Sequence, residues 1–253
     1  MSSSVSSEKS ICQEAVESIE NFLIDLECSP KESDNKKAKT LSYWIKDYIR
    51  FIDYEKNFKP TTLKRYERGD VLKIHLGYRI GSEEGGLHYA VVLDKNNNIS
   101  SPVLTVIPLT SLKKDNKVYP DDVMLGTELK DTLIIKAHKG IEKISSKMKE
   151  HNLILKELKN LKEGLISNVN EEIEKVEKEQ KELKRELNIL SKVIKEAEKM
   201  KNGSIALINQ ITTISKIRIY DPKSQYDVLS GIKISPENLD LINDKIIKLF
   251  LKI

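Results

Sequence analysis

Between Leu129 and Ala197 the apolar residues recur every three or four positions, in two stripes. The first runs Leu129, Leu133, Ala137, Ile141, Ile144, Met148, Leu155 and Leu158. The second runs Ile166, Val169, Ile173, Val176, Gln180, Leu183, Leu187, Leu190, Ile194 and Ala197. Such spacing keeps one face of an α-helix apolar over many turns, which is the pattern of a heptad seam. The stripes do not share a phase. Continued by sevens, the first puts Lys162 or Glu172 on the seam, so the register breaks between Leu158 and Ile166, where Gly164 lies. Two limbs of ~33–36 residues, each roughly 50 Å of helix, predict an antiparallel hairpin. Its tip falls near Glu163–Asn168, with Asn168 or Asn170 as N-cap. A hairpin brings its two ends back to one place. Whatever flanks it must therefore offer adjacent attachment points.

The flanking segments read as strands. GDVLKIHLG, HYAVVLD and SPVLTVIPLT are short, β-branched and separated by Gly, Asn and Ser, and VYPDDVML adds a fourth candidate. Asp94–Asn98 is a turn between two of them. After the hairpin, SIALINQITTISKIRI resumes the β-branched pattern. Ser235 then caps a last helix, with Pro236 at its first position and Leu239, Ile242, Ile246 and Leu249 on its inner stripe. The spacing predicts a small antiparallel, partly closed sheet or barrel, interrupted by the hairpin. Ahead of it stand two amphipathic helices, Ile11–Leu26 and Leu41–Ile52, joined by the linker ECSPKESDNKKAK. Two such helices cannot build a core alone, so their apolar faces must dock. The expected class is α+β. Its parts are a helical extension over 1–66, a first barrel half over 67–126, the hairpin over 127–202, and a second barrel half with the last helix over 203–253.

Charged residues make up 32% of the chain, which suits an elongated, solvated arm. The 43 basic residues are offset by 39 acidic ones, so the net charge of +4 permits a nucleic-acid partner without requiring one. Cys12 and Cys28 fall on one predicted helix ~24 Å apart, beyond disulfide reach. No secretion leader and no run of 18 apolar residues is evident, so a cytoplasmic protein away from membranes is expected. No phosphate loop, GxSxG elbow, HExxH or CxxC occurs, and neither metal nor cofactor is expected. Of the four histidines, His138 and His151 lie on the hairpin and His75 lies within a strand. His88 differs. It follows Gly85 and Gly86, precedes the apolar run Ala90–Leu93, and starts a strand beside a flexible loop, a common place for a site.

Four blocks carry a resemblance. RGDVLKIHLGYRIGSEEGGLHYAVVLD, Arg68 to Asp94, is similar to the opening of the MazF/PemK toxin family, whose pattern is RGD, a hydrophobic strand, GSEQGG and RPAVVL. TVIPLTS, Thr105 to Ser111, resembles the family's third strand with its Thr-containing end. GSIALINQITTISKIRI resembles its late strand with a Gln-[IV]-x-[ST]-[IV] core, and SPENLDLINDKIIKLF its closing helix. The resemblance implies an SH3-like barrel of the MazF/CcdB type that works as a homodimer. It implies metal-independent cleavage of single-stranded RNA, mRNA in particular, to arrest growth, and neutralisation by a cognate antitoxin peptide.

The resemblance places the catalytic threonine at Thr110, with Ser111 beside it, and the loop acid at Glu83. The catalytic arginine position falls on His88, with Tyr89 in place of the following proline. Gly81, Ser82, Gly85 and Gly86 build the loop, and Gln210 belongs to a structural side-chain network on the inner strand. Cleavage by 2′-OH attack needs a base, charge stabilisation at phosphorus and an acid for the leaving oxygen. A guanidinium serves the second task and transfers protons poorly, whereas imidazole is suited to the first and third. His88 is therefore expected as general acid or base, with Glu83 orienting it or acting as its partner. Thr110 and Ser111 would bond the phosphate, and Lys73, Arg79 or Lys216 would supply positive charge. Related barrels poison DNA gyrase by binding alone, so a non-catalytic toxin is the alternative, followed by a degenerate barrel serving as an interaction module.

Overall fold

The computed structural model describes residues 9–112, 118–161, 168–200 and 203–252. The chain forms two compact units. One holds the residues up to Phe58 together with Gly77–Gly81, and the other holds Lys59–Leu76 and everything from Ser82 onward.

In the first unit, α1 spans Ile11–Glu27 and α2 spans Glu32–Glu55. Ser10 and Gln13 close a reciprocal capping box that starts α1. Helix α2 begins at Glu32, not near Leu41, so most of the expected linker is helical. That stretch has no apolar period, but its Lys, Ala and Glu are good helix formers, and Glu32 and Asp34 suit the positive end of the helix. The Ser29 hydroxyl donates to Asp34 at 2.6 Å and fixes the entry. Trp44 packs on Tyr48 and Phe51 within α2. Ala38 is the buried residue of this helix, and α1 has none, while Ile11, Val16, Tyr48 and Ile49 remain more than half exposed.

In the second unit, the strands are β1 (Val71–His75), β2 (Leu87–Val92), β3 (Val103–Ser111), β4 (Val123–Gly126), β5 (Ser204–Ala206), β6 (Thr212–Ser215) and β7 (Ile219–Asp221). They form one antiparallel sheet in the order β4-β5-β3-β2-β1-β7, with β6 also on β3. Strand β3 gives one edge to β2. Its other edge takes β6 along Val103–Val106 and β5 along Leu109–Ser111. The segment 204–219, which reads as one strand, is therefore broken by 3₁₀ turns at Ile208–Gln210 and Lys216–Arg218. It must cross from one half of β3 to the other, and β-branched content does not encode that bend. The strand expected over 118–125 shortens to Val123–Gly126.

Alternation along each strand sorts the apolar residues into two cores. Leu72, Ile74, Ala90, Val92, Leu104 and Val106 meet Ile214, Ile219 and Tyr66 in the barrel interior. Val71, Val91, Ile107 and Leu109 face the other way, beneath helices. Tyr66 donates from its hydroxyl to the Pro222 carbonyl at 2.7 Å. Residues 59–66 thus belong to the barrel, and the first boundary falls after Phe58, not after Tyr66.

Helix α3 spans Glu128–Leu161 and α4 spans Asn168–Glu198. They run antiparallel: Gln180 donates to Asn152 at 2.9 Å, and His151 meets Glu179 at 3.4 Å. Ile144, Leu183 and Leu190 form their shared core. Gly140 gives room where they approach closely, since a Cβ there would lie 2.6 Å from Leu190 Cδ1 and that side chain would have to shift. Of the expected tip, Glu163–Asn168, the residues up to 167 lie outside the described residues, and Asn168 and Asn170, each expected as N-cap, both fall inside α4. The hairpin root is not a separable arm. Leu129, Leu133, Ala137, Val193 and Ala197 share one core with Val71, Val91 and Ile107, and with Ile242 of α5 (Pro236–Phe250). The expected breaks near residues 126 and 202 therefore do not divide the packing. Gly126 and Gly203 meet at the root, where a Cβ on Gly203 would stand 3.0 Å from the Gly126 carbonyl oxygen. Among the described residues, no helix is long and apolar enough to cross a membrane.

Candidate active site

The loop GSEEGG enters β2 through Gly86, whose φ of +86° lies in the left-handed region that L side chains rarely adopt. The Gly86 carbonyl accepts from Leu76 N–H at 2.7 Å, tying the loop to the end of β1. Gln210 holds the loop from the other side. Its Oε1 accepts from Glu84 N–H at 3.2 Å and its Nε2 donates to the Ser82 carbonyl at 3.4 Å. The expected Gln210 network therefore exists on a 3₁₀ turn, not on an inner strand, and it serves the loop.

His88 shares the interior face of β2 with Ala90 and Val92, at the open end of the barrel. Its Nδ1 lies 3.2 Å from the Leu109 carbonyl oxygen and its Nε2 lies 3.0 Å from Glu84 Oε1. A carbonyl and a carboxylate both only accept, so Nδ1 holds a hydrogen toward Leu109, and Nε2 bonds Glu84 when it too carries a hydrogen. His88 is 22% exposed and Glu84 27%, so the dyad is within reach of a ligand. Tyr89 pairs with Leu109, and one further step of that register sets Thr110 across from His88 on the same face. Thr110 is half-buried opposite Ile205 of β5, and Ser111 is exposed at the strand end.

The carboxylate on His88 is thus Glu84, where Glu83 was expected. The clue lay in the comparison with GSEQGG and RPAVVL. Glu84 stands at the pattern's Gln and His88 at its Arg. One departure alone reads as a loss. Two departures in contact, four positions apart, read as an exchange of one polar pair for another.

Tyr89, the third departure, points to the opposite face. Its hydroxyl donates to Glu196 Oε1 of α4 at 2.6 Å, and Lys73 Nζ bonds the same oxygen. Lys199 donates to Oε2 at 2.9 Å, and the Lys73 ammonium stands 5.3 Å from the Tyr89 ring centroid. Burial works against the charge on Glu196. The hydrogen bonds from Lys73, Tyr89 and Lys199 outweigh it and hold the carboxyl at about 2. Burial, and then the bond to Glu196, push the Tyr89 phenol far up. With its folded pKa depressed, Glu196 stabilises the fold above the ordinary carboxylate range, and that stability is lost as pH falls toward about 2.

The expected cations are placed otherwise. Lys73 lies under α4, bound to Glu196, and does not share the His88 face. Lys216 is 1% exposed, and its ammonium donates to the carbonyls of Asn98 and Ile99 at 3.1 and 3.5 Å. Burial lowers its pKa. Lys216 therefore pins the turn after β2 and presents no charge to a surface ligand. Lys216→Met, which strands both carbonyls, is expected to cost about 1–3 kcal/mol in urea unfolding. Arg79 and Gly81 lie in the segment Gly77–Gly81, grouped with the helices of the first unit. Among the described residues, no group of three or more His, Cys, Asp or Glu side chains is arranged to hold a metal ion.

Residues 67–177 match the family described as PemK-like, MazF-like toxin of type II toxin-antitoxin system. The match covers β1–β4, α3 and the first part of α4, while β5–β7 and α5 lie beyond it. Among curated proteins, none matches the chain. The matched stretch contains the GSEEGG loop, His88 and Thr110, set in an antiparallel sheet flanked by helices. Over this region the chain is similar to the PemK-like, MazF-like toxins of type II toxin–antitoxin systems.

Proposed function

We propose that this protein is the toxin of a type II toxin–antitoxin system, an endoribonuclease that cleaves single-stranded RNA, mRNA in the cell, without a metal ion. It acts in the cytoplasm as a homodimer and arrests growth until its antitoxin binds. The observation that carries this reading is the His88 ring held between Glu84 and the Leu109 carbonyl, with Thr110 across from it. With Nδ1 held by the Leu109 carbonyl, the neutral ring keeps its lone pair on Nε2, and a ribose 2′-OH that displaces Glu84 from Nε2 gives up its proton there. The 2′ oxygen then attacks the adjacent phosphorus, and the bond to the 5′ oxygen breaks. The imidazolium, stabilised by Glu84 and the Leu109 carbonyl, returns the proton to that leaving oxygen. A 2′,3′-cyclic phosphate and a 5′-OH result. Thr110 and Ser111 bond the phosphate oxygens, and Glu83 stays at the exposed edge of the loop.

The test is to incubate the purified full chain with labelled single-stranded RNA in EDTA. Cleavage is expected to survive chelation and to fall about a hundredfold in Thr110→Ala. Growth arrest on expression, without any cleavage, would replace this reading by that of a toxin acting through binding alone.

A further inference from the structure

Lys73, Tyr89 and Leu109 face one another across β1, β2 and β3 as one rung of the sheet. Both ends of the His88 environment start from this rung. His88 precedes Tyr89 in the chain, and the carbonyl that holds its Nδ1 belongs to Leu109. Two of the three rung side chains end on a single carboxylate, Glu196 of the hairpin. That carboxylate is 12% exposed and has donors on both oxygens. Hydrogen-bonded charges in such a low-dielectric setting resist displacement. The helix that carries Glu196 is itself fixed, since Val193 and Ala197 are 0% and 1% exposed in the core beneath the sheet. Glu196 therefore cannot move without moving β2. His88 and Tyr89 point to opposite faces, so the anchor reaches the site through the strand, without touching it.

We infer that Glu196 is a positioning residue: the helical hairpin, through Glu196, Tyr89 and Lys73, sets β2 so that the His88 ring meets Glu84 and the Leu109 carbonyl. The kinetic part of this inference rests on the reading of His88 as the proton-transfer group. The geometric part does not. The hairpin is then a working part of the toxin's site, and its loss removes more than a surface for partners.

The test uses the full chain with isotope-labelled histidine, the His88 ring signals being assigned by their absence in His88→Ala. Tyr89→Phe removes one hydroxyl and is the mildest probe, and Glu196→Gln keeps the shape of the carboxylate. Ile144→Ala, in the hairpin's own core, is the control for lost stability alone. Both clamp variants are expected to shift the His88 ring signals and to lower kcat about tenfold with KM little changed. The double variant is expected to match the larger single effect, since the two groups form one unit. Ile144→Ala is expected to lower Tm and leave the His88 signals in place. If Tyr89→Phe and Glu196→Gln leave the ring signals where the parent has them, Glu196 is structural only and the inference is wrong. If the parent cleaves no RNA, the nuclease reading fails, and the ring signals alone decide whether Glu196 positions His88.

Discussion

Replacing His88 with alanine is expected to lower the rate constant for RNA cleavage by about 10²–10⁴-fold, with little change in Tm. The effect is large because Nε2, shared between Glu84 and the substrate, is the ring atom that exchanges the proton, while the Leu109 carbonyl holds the hydrogen on Nδ1. The fold is expected to survive because His88 sits at the open end of the barrel, outside both cores. Restoring the family's letters gives a sharper comparison. His88→Arg alone places a guanidinium against Glu84, and the ion pair would neutralise the charge meant for phosphate. His88→Arg combined with Glu84→Gln removes that carboxylate. The double variant is expected to cleave faster than His88→Arg. Equal cleavage by His88→Ala and the parent would end the acid–base role.

Leu133→Ala is expected to destabilise the barrel by about 2–5 kcal/mol. Leu133 belongs to the hairpin in sequence, yet it is fully buried beside Val91 and Ile107. The measurement is urea unfolding combined with amide hydrogen exchange along β2 and β3. A hairpin that were only an appendage would loosen locally and leave the amides of Val91 and Ile107 as protected as before. A shared core requires them to lose protection together with α3. Unchanged strand protection would restore the hairpin to the status of a separate domain.

Much of the fold was legible because its signals are periodic. The stripes of α3 and α4, the β-branched runs and the Ser235–Pro236 start of α5 each report one element from its own residues. The misreadings share a different cause. The start of α2 carries no apolar face, so its helix has no period to show. The breaks in 204–219 come from pairing with two halves of β3, which is information held by another strand. Within the site, the loop and His88 stood out by their place beside Gly85 and Gly86. Their partners did not. Lys73 and Lys216 looked like free cations because a sequence shows charge without burial.

The sequence by itself determined the order of elements, the hairpin, the family resemblance and the strand position of His88, since each depends on neighbours in the chain. The tertiary structure alone decided which carboxylate meets His88 and that Lys216 is an internal strut. It also decided that Tyr89 and Lys73 are held by Glu196, more than 100 residues away in the chain. Hydrogen bonds and burial act over a few ångströms in space. At such separations along the chain, only the folded backbone determines which groups come that close.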